Sequence, residues 1–173
     1  MRLLLPVILI LLLNSCSEMK PEDYKNTKPI IKIEEYFKGN VKAWGMLQGR
    51  SGEVKRQFVA DMKGEFDGQN LILDETFIWN DGEKQERRWT IKKVGDNKYE
   101  GTAPDVVGVA KGVAFGSAFK FEYKLLVPYK DKKIKIKFDD WIFKQDEKVA
   151  INRATMTKFG IKVAELTVLF QKN

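Results

Sequence analysis

Histidine is absent from this 173-residue chain, and cysteine occurs once, at position 16. The first absence removes Ser-His-Asp triads, Cys-His pairs, imidazole acid–base chemistry and histidine-liganded zinc. The second leaves no disulfide to brace the fold and no thiolate cluster for a metal, so the core alone must hold the structure. No glycine-rich phosphate cradle is present either: Gly101, Gly108, Gly112 and Gly116 fit neither a GxGxxG nor a Walker pattern. Most common hydrolase mechanisms are thereby excluded. No catalytic residue, metal or cofactor is expected, and the chain is read as a non-enzyme.

Long apolar runs are scarce too. The one that exists, Leu3 to Leu13, follows the basic start Met1-Arg2 and ends in Leu13-Asn14-Ser15-Cys16. It is shorter than the ~17–20 residues a helix needs to cross a bilayer, and it looks like a secretory signal ending in a lipobox. Residues 1–15 are expected to be a signal peptide, with Cys16 the acylated first residue of the mature chain. Each buried CH₂ of an acyl chain adds about 0.8 kcal/mol of membrane affinity, so such a protein is tethered to a membrane and does not span it. By analogy with bacterial lipoproteins, Ser17 after the cysteine resembles an address for the outer membrane, facing the periplasm. Residues 16–29, with the polar, two-proline stretch SEMKPEDYKNTKP, read as a flexible tether, and 30–173 as a single domain.

Positive charge is in excess, with 31 Lys and Arg against 24 Asp and Glu. A basic surface suits anionic phospholipid or lipopolysaccharide. Nucleic acid is not expected as a partner of an exported protein.

Turn signals recur at short intervals: Arg50-Ser51-Gly52, Asp67 to Asn70, Asn80-Asp81-Gly82, Gly95-Asp96-Asn97, Tyr129 to Lys132 and Gln145 to Lys148. Between them lie strand-like runs at Val41 to Gln48, Val54 to Lys63, Leu71 to Trp79, Glu86 to Val94 and Lys98 to Ala103. Others follow at Val106 to Ala114, Ala118 to Val127, Lys133 to Phe143, Val149 to Met156 and Val163 to Gln171. Only Ile30 to Lys38 suits a short helix. About ten antiparallel strands with one wet face predict an all-β fold, an up-and-down barrel whose closure removes exposed edges; a β-sandwich is the alternative.

A barrel of this size can enclose side chains plus one small ligand, so inward-facing charges are of interest. In IKIKFDDWIF (Ile134 to Phe143), Asp140 shares a face with Ile136, Phe138 and Ile142. A four-residue turn at Gln145 to Lys148 would set Asp140 opposite Arg153; a five-residue turn would set Asp139 there. Arginine is rare, six against 25 lysines, so Arg56, Arg87, Arg88 and Arg153 within strands each need a reason. A guanidinium can grip a carboxylate or phosphate through two parallel hydrogen bonds. Arg56 lies on the face of Phe58 and Met62, and Glu75 on that of Leu73 and Phe77. These charges either neutralise one another and fix register, or leave one arginine free for an acidic head group whose tail lies along Phe58, Phe119, Phe121 and Phe138.

Four ordered blocks carry a resemblance: Tyr36-Phe37-Lys38-Gly39 with Ala43-Trp44-Gly45, Asp105 to Gly112, Phe138-Asp139-Asp140-Trp141, and Asn152 to Gly160. Over about residues 30–172 the chain resembles a family of bacterial lipoproteins known only as a domain of unknown function. The resemblance implies a lipocalin-like (calycin) barrel associated with the cell envelope and with fatty-acid modification, and it supplies no established catalytic residues. Its motif positions here include Asp105, Asp140, Trp141, Asn152, Arg153 and Lys158.

Together these readings predict an outer-membrane lipoprotein that binds a fatty acid or phospholipid for storage or transfer, through Arg153 and Arg56 held by Asp140 and Glu75. The alternatives are a lipid-modifying enzyme without histidine chemistry and a structural or assembly protein acting through a protein partner.

Overall fold

The computed structural model describes residues 19–173; the expected signal peptide and Cys16 lie outside the described residues. A 3₁₀ turn (Pro21–Tyr24) and a single helical turn α1 (Ile33–Tyr36) precede ten strands. These are β1 (Gly39–Gly49), β2 (Val54–Phe66), β3 (Asn70–Trp79), β4 (Lys84–Lys93), β5 (Lys98–Thr102), β6 (Ala110–Phe115), β7 (Ala118–Tyr129), β8 (Lys132–Lys144), β9 (Val149–Lys158) and β10 (Ile161–Lys172). Each pairs antiparallel with the next, and β10 closes on β1. The expected all-β barrel forms, and the sandwich does not. Strand bounds match the alternation closely except at β6, which starts at Ala110; upstream of it only Val106 makes a bridge, to Leu125.

Alternation explains the wall. In β2, Phe58, Ala60 and Met62 are buried while Gln57, Val59 and Asp61 are not; β7 buries Phe119, Phe121 and Leu125. One end of the barrel is plugged by the segment around α1, which buries Ile31, Ile33, Tyr36 and Phe37. Phe37 meets Phe170 edge-on at 5.2 Å. The Tyr36 hydroxyl donates to the Lys148 carbonyl at 2.9 Å. Glu34, buried in the same plug, accepts from Lys93 Nζ at 2.7 Å and from the Tyr99 hydroxyl at 2.8 Å.

The stretch expected to be a free tether packs, over its described part, along the outside of the wall near the plugged end. Tyr24 lies against Trp141 and Phe143, with ring centroids 5.9 and 5.4 Å apart. Thr27 Oγ1 accepts from the Ser117 backbone N–H at 2.9 Å, and Ile31 N–H donates to the Gly116 carbonyl at 2.8 Å. Among the described residues every strand has a neighbour on each side.

The hairpin joining β8 and β9 differs from expectation. Gln145 and Val149 close a tighter turn, its Asp146 carboxylate accepting from the N–H groups of Lys148 and Val149 at 2.7 Å. Register moves by one residue relative to a four-residue turn: Asp140 lies opposite Ala154, and Trp141 opposite Arg153. A one-residue slip exchanges the two faces of a strand. Arg153 therefore points outward, and neither aspartate meets it.

Gly64 lets the plug seat: a Cβ at this position would run into the Phe37 carbonyl oxygen. Gly64→Ala must push the backbone around Phe37 away from β2, and is expected to lower the unfolding free energy by about 1–3 kcal/mol, read from urea unfolding followed by tryptophan fluorescence.

Candidate ligand site inside the barrel

The interior is not filled. A cavity of about 120 Å³ lies inside the barrel, lined mainly by apolar groups including Phe58, Leu73, Phe119, Phe121, Ile142 and Phe170. Phe138 belongs instead to a second cluster, with Leu125, Ile136 and Ala154, beyond Tyr123. Ring contacts join the two regions: Trp89 approaches Phe121 and Tyr123 at 5.3 and 5.4 Å, and Tyr123 stacks on Phe138 at 5.0 Å.

Polar side chains gather on one part of the cavity wall. Glu75 from β3, Arg87 from β4, Tyr123 from β7, Asp140 from β8 and Asn152 from β9 all line it. Asp140, the acid on an apolar face, accepts from the Tyr123 hydroxyl at 2.8 Å and from the Asn152 amide, which also donates to the Trp141 carbonyl at 3.1 Å. Arg87 donates through Nε and Nη2 to Asp105 at 3.1 and 2.8 Å. Glu75 is only 8% exposed, yet its Oε2 accepts no hydrogen bond; the Arg87 guanidinium stands 3.9 Å away. Asp105 Oδ1 is likewise buried without a partner.

Burial governs the charge states. Desolvation raises the Glu75 carboxyl to about 7, with Arg87 opposing and Asp105 and Asp140 adding to the rise. Asp140 is raised to about 6, again by burial, against the hydrogen bonds from Tyr123 and Asn152. Burial and the neighbouring Asp140 lift the Tyr123 hydroxyl well above its ordinary value, so it stays a donor.

The wall has a weak place beside this cluster. Strands β5 and β6 are short, and only Thr90 to Lys93 of β4 pair with β5. Between the first half of β4 and the far half of β7 the gap is bridged by residues 103–109, held by Val107 N–H to the Lys124 carbonyl (2.8 Å) and Leu126 N–H to the Asp105 carbonyl (2.9 Å). An outer groove of about 680 Å³ opens there, lined by Gln85, Pro104, Asp105, Leu126 and Lys133. Glu75 and Arg87 line both groove and cavity, and so form the partition between them.

Of the residues singled out from sequence, Glu75, Asp105, Asp140 and Asn152 are brought together. Arg56 is on the inner face as expected but at the rim, paired with Asp81 and Glu83 (2.7 and 2.9 Å) and lying 4.1 Å over the Trp79 ring. Neither Glu75 nor Asp140 holds it. Arg153 is 65% exposed and paired with Glu165. Trp141 is buried on the outer wall beneath Tyr24. Lys158 lies at the unplugged end, beside Phe159. Sequence reasoning missed Arg87 and Tyr123 as site residues. Both share a face with buried aromatic neighbours in their own strands, Trp89 and Phe121, and that parity was the signal.

Closed antiparallel topology, a plugged end and a partly empty, mixed apolar and polar interior define a ten-stranded lipocalin-like barrel. Residues 10–172 match the family described as Protein of unknown function (DUF3833), and the chain belongs to it. No curated protein matches. Among solved structures, the S-type phycobiliprotein lyase CPES from Guillardia theta is similar at a TM-score of 0.57 and 8% identity, over 90% of this chain and 99% of that one. A protein of unknown function from the DUF3598 family of Nostoc punctiforme is similar at a TM-score of 0.62 and 12% identity, over 84% of this chain. This chain matches 51% of the length of that second protein. At these identities the likeness is one of fold.

A carboxyl raised on folding holds its proton in the native state and releases it in the unfolded one, so its stabilising share is complete below the unfolded value and is lost as pH rises through the folded one. For Glu75 that window runs from about 4.5 to about 7. Glu75→Gln should therefore gain on the parent protein, by on the order of 3 kcal/mol, between those pH values, measured by urea unfolding at each pH.

Proposed function

We propose that this protein binds a small amphipathic molecule inside its barrel, for storage or transfer in the cell envelope. The observation that carries the reading is the unfilled interior, apolar over most of its wall and bearing an incompletely satisfied polar cluster at one place. The apolar body of the ligand lies among Phe58, Phe119, Phe121 and Ile142, and its polar end meets Glu75, Asp140, Tyr123 and Asn152. Entry runs through the groove between β4 and β7, past the Arg87–Asp105 pair. Attachment through Cys16 would hold the protein at the outer membrane, close to a supply of lipid-derived ligands.

The structure alters what the polar end should be. An acidic head group depended on Arg56 and Arg153, and neither reaches the cluster. The inner guanidinium, Arg87, already has Asp105, and the carboxyls of Glu75, Asp105 and Asp140 outnumber it. An anion brought here adds to a surplus of negative charge, whereas an ammonium or another N–H donor supplies the partner that Glu75 Oε2 lacks. A basic or donor-bearing amphiphile is preferred over a free fatty acid.

A second reading, chemistry on the bound molecule, is favoured by one observation: Glu75 and Asp140 are placed in the cavity with values near neutrality, where acid–base catalysis works best. The lyase of similar fold lends this reading some support. Recovery of the bound molecule unchanged after prolonged incubation separates binding from turnover.

The test uses residues 19–173, titrated at pH 8 with octylamine, octanol and octanoate and followed by the fluorescence of Trp89 in the cavity wall. Octylamine is expected to bind about tenfold more tightly than octanoate, and Ala43→Leu, which adds a side chain to the cavity, to abolish binding of all three while leaving the barrel folded. Preference for octanoate would refute the assignment of the polar end; no binding of any probe would refute the ligand-binding reading itself.

A further inference from the structure

The unplugged end of the barrel carries a feature that ligand binding does not use. Strands β9 and β10 are joined by Phe159-Gly160, and Phe159 is 92% exposed. Its backbone is in the left-handed region, at φ 51°, followed by Gly160 at φ 79°. Two-residue hairpin turns with both positions left-handed favour Asn or Asp first and Gly second, because a bulky side chain is strained there. An aromatic residue so placed costs the fold in two ways, in backbone strain and in bare apolar surface. Such local costs concentrate where they serve a function.

Its surroundings name the partner. A groove of about 580 Å³ beside Phe159 is lined by Lys124, Lys135, Lys137 and Lys158 and by no carboxylate. Lys137 is paired with Glu122 at 3.2 Å; Lys158 leans on the Phe159 ring at 5.4 Å. Just past the turn Ile161 is 56% exposed, and the tip of the β7–β8 hairpin presents Tyr129 with Lys130, Lys132 and Lys133 around a single acid, Asp131. Exposed apolar and aromatic tips ringed by lysine match the boundary of an anionic bilayer: rings enter the acyl region while ammonium groups meet phosphates.

We propose that the Phe159 turn and the adjoining lysine groove dock this end of the barrel on an anionic phospholipid surface. The contact is separate from any anchor at Cys16, because the described N-terminal segment packs at the opposite end of β7 and β8, against Trp141 and Phe143. Docking here also brings the bilayer to the end of the barrel where the groove between β4 and β7 opens, Lys133 at the start of β8 lining that groove next to the β7–β8 turn.

The experiment is co-sedimentation of residues 19–173 with vesicles of phosphatidylcholine alone and of phosphatidylcholine with about 30 mol% phosphatidylglycerol, at low and at about 0.5 M salt. The protein is expected to sediment with the anionic vesicles at low salt only. Phe159→Asn should weaken that binding by about tenfold or more while the midpoint of thermal unfolding stays level or rises, since asparagine suits the turn. Lys135→Glu with Lys158→Glu should weaken it independently. Equal sedimentation with neutral vesicles, or full binding by Phe159→Asn, would overturn the proposal.

Discussion

Closure of β10 onto β1 is the constraint on which the rest of the molecule depends. It pairs the first and last strands with each other, so that the edges left unpaired are the stretches of β4 and β7 that flank the gap between them. It also fixes the interior: ten strands enclose more space than their inward side chains fill, so rings such as Phe119 and Phe121 line a void rather than closing it. Closure also buries the polar groups inside, so each looks first to the others for a partner. Asp140, Tyr123 and Asn152 find one another. Glu75 and Asp105 each keep one buried oxygen without a protein partner.

The barrel is closed in topology but uneven in thickness. Because β5 and β6 are short, the wall between β4 and β7 depends on residues 103–109, pinned to β7 by two backbone hydrogen bonds. Local opening concentrates where few backbone bonds must break. The polar cluster stands behind that segment, with Arg87 holding Asp105 across the gap. The two ends are equally unlike. One is sealed by α1 and the buried Glu34–Lys93–Tyr99 contacts; the other ends in lysine-rich turns. The groove between β4 and β7 and the lysine-rich turns thus lie away from the plugged end.

Much of this was legible in the chain. The spacing of turn residues marked out ten strands, and alternation within each run told which side chains face inward: Glu75 and Asp140 were placed inside from parity alone, and both are there. The family blocks around Asp105 and Asn152 marked two more members of the cluster. Arg153 shows where such reading stops. Its own strand, VAINRAT, alternates too weakly to declare a face, so its placement depended on a turn length, and the Asp146 side chain tightens that turn by hydrogen bonds no residue count reveals.

The sequence by itself therefore determined the fold class and the inward or outward sense of most strand positions, because side-chain direction in a strand is a property of adjacent residues. Tertiary structure decided which inward residues meet. Arg87 finds Asp105 across a gap in the wall, Glu75 is left without a full partner, and Phe159 is set bare at a turn. Those outcomes depend on register and closure, which are set by contacts between residues far apart in the chain.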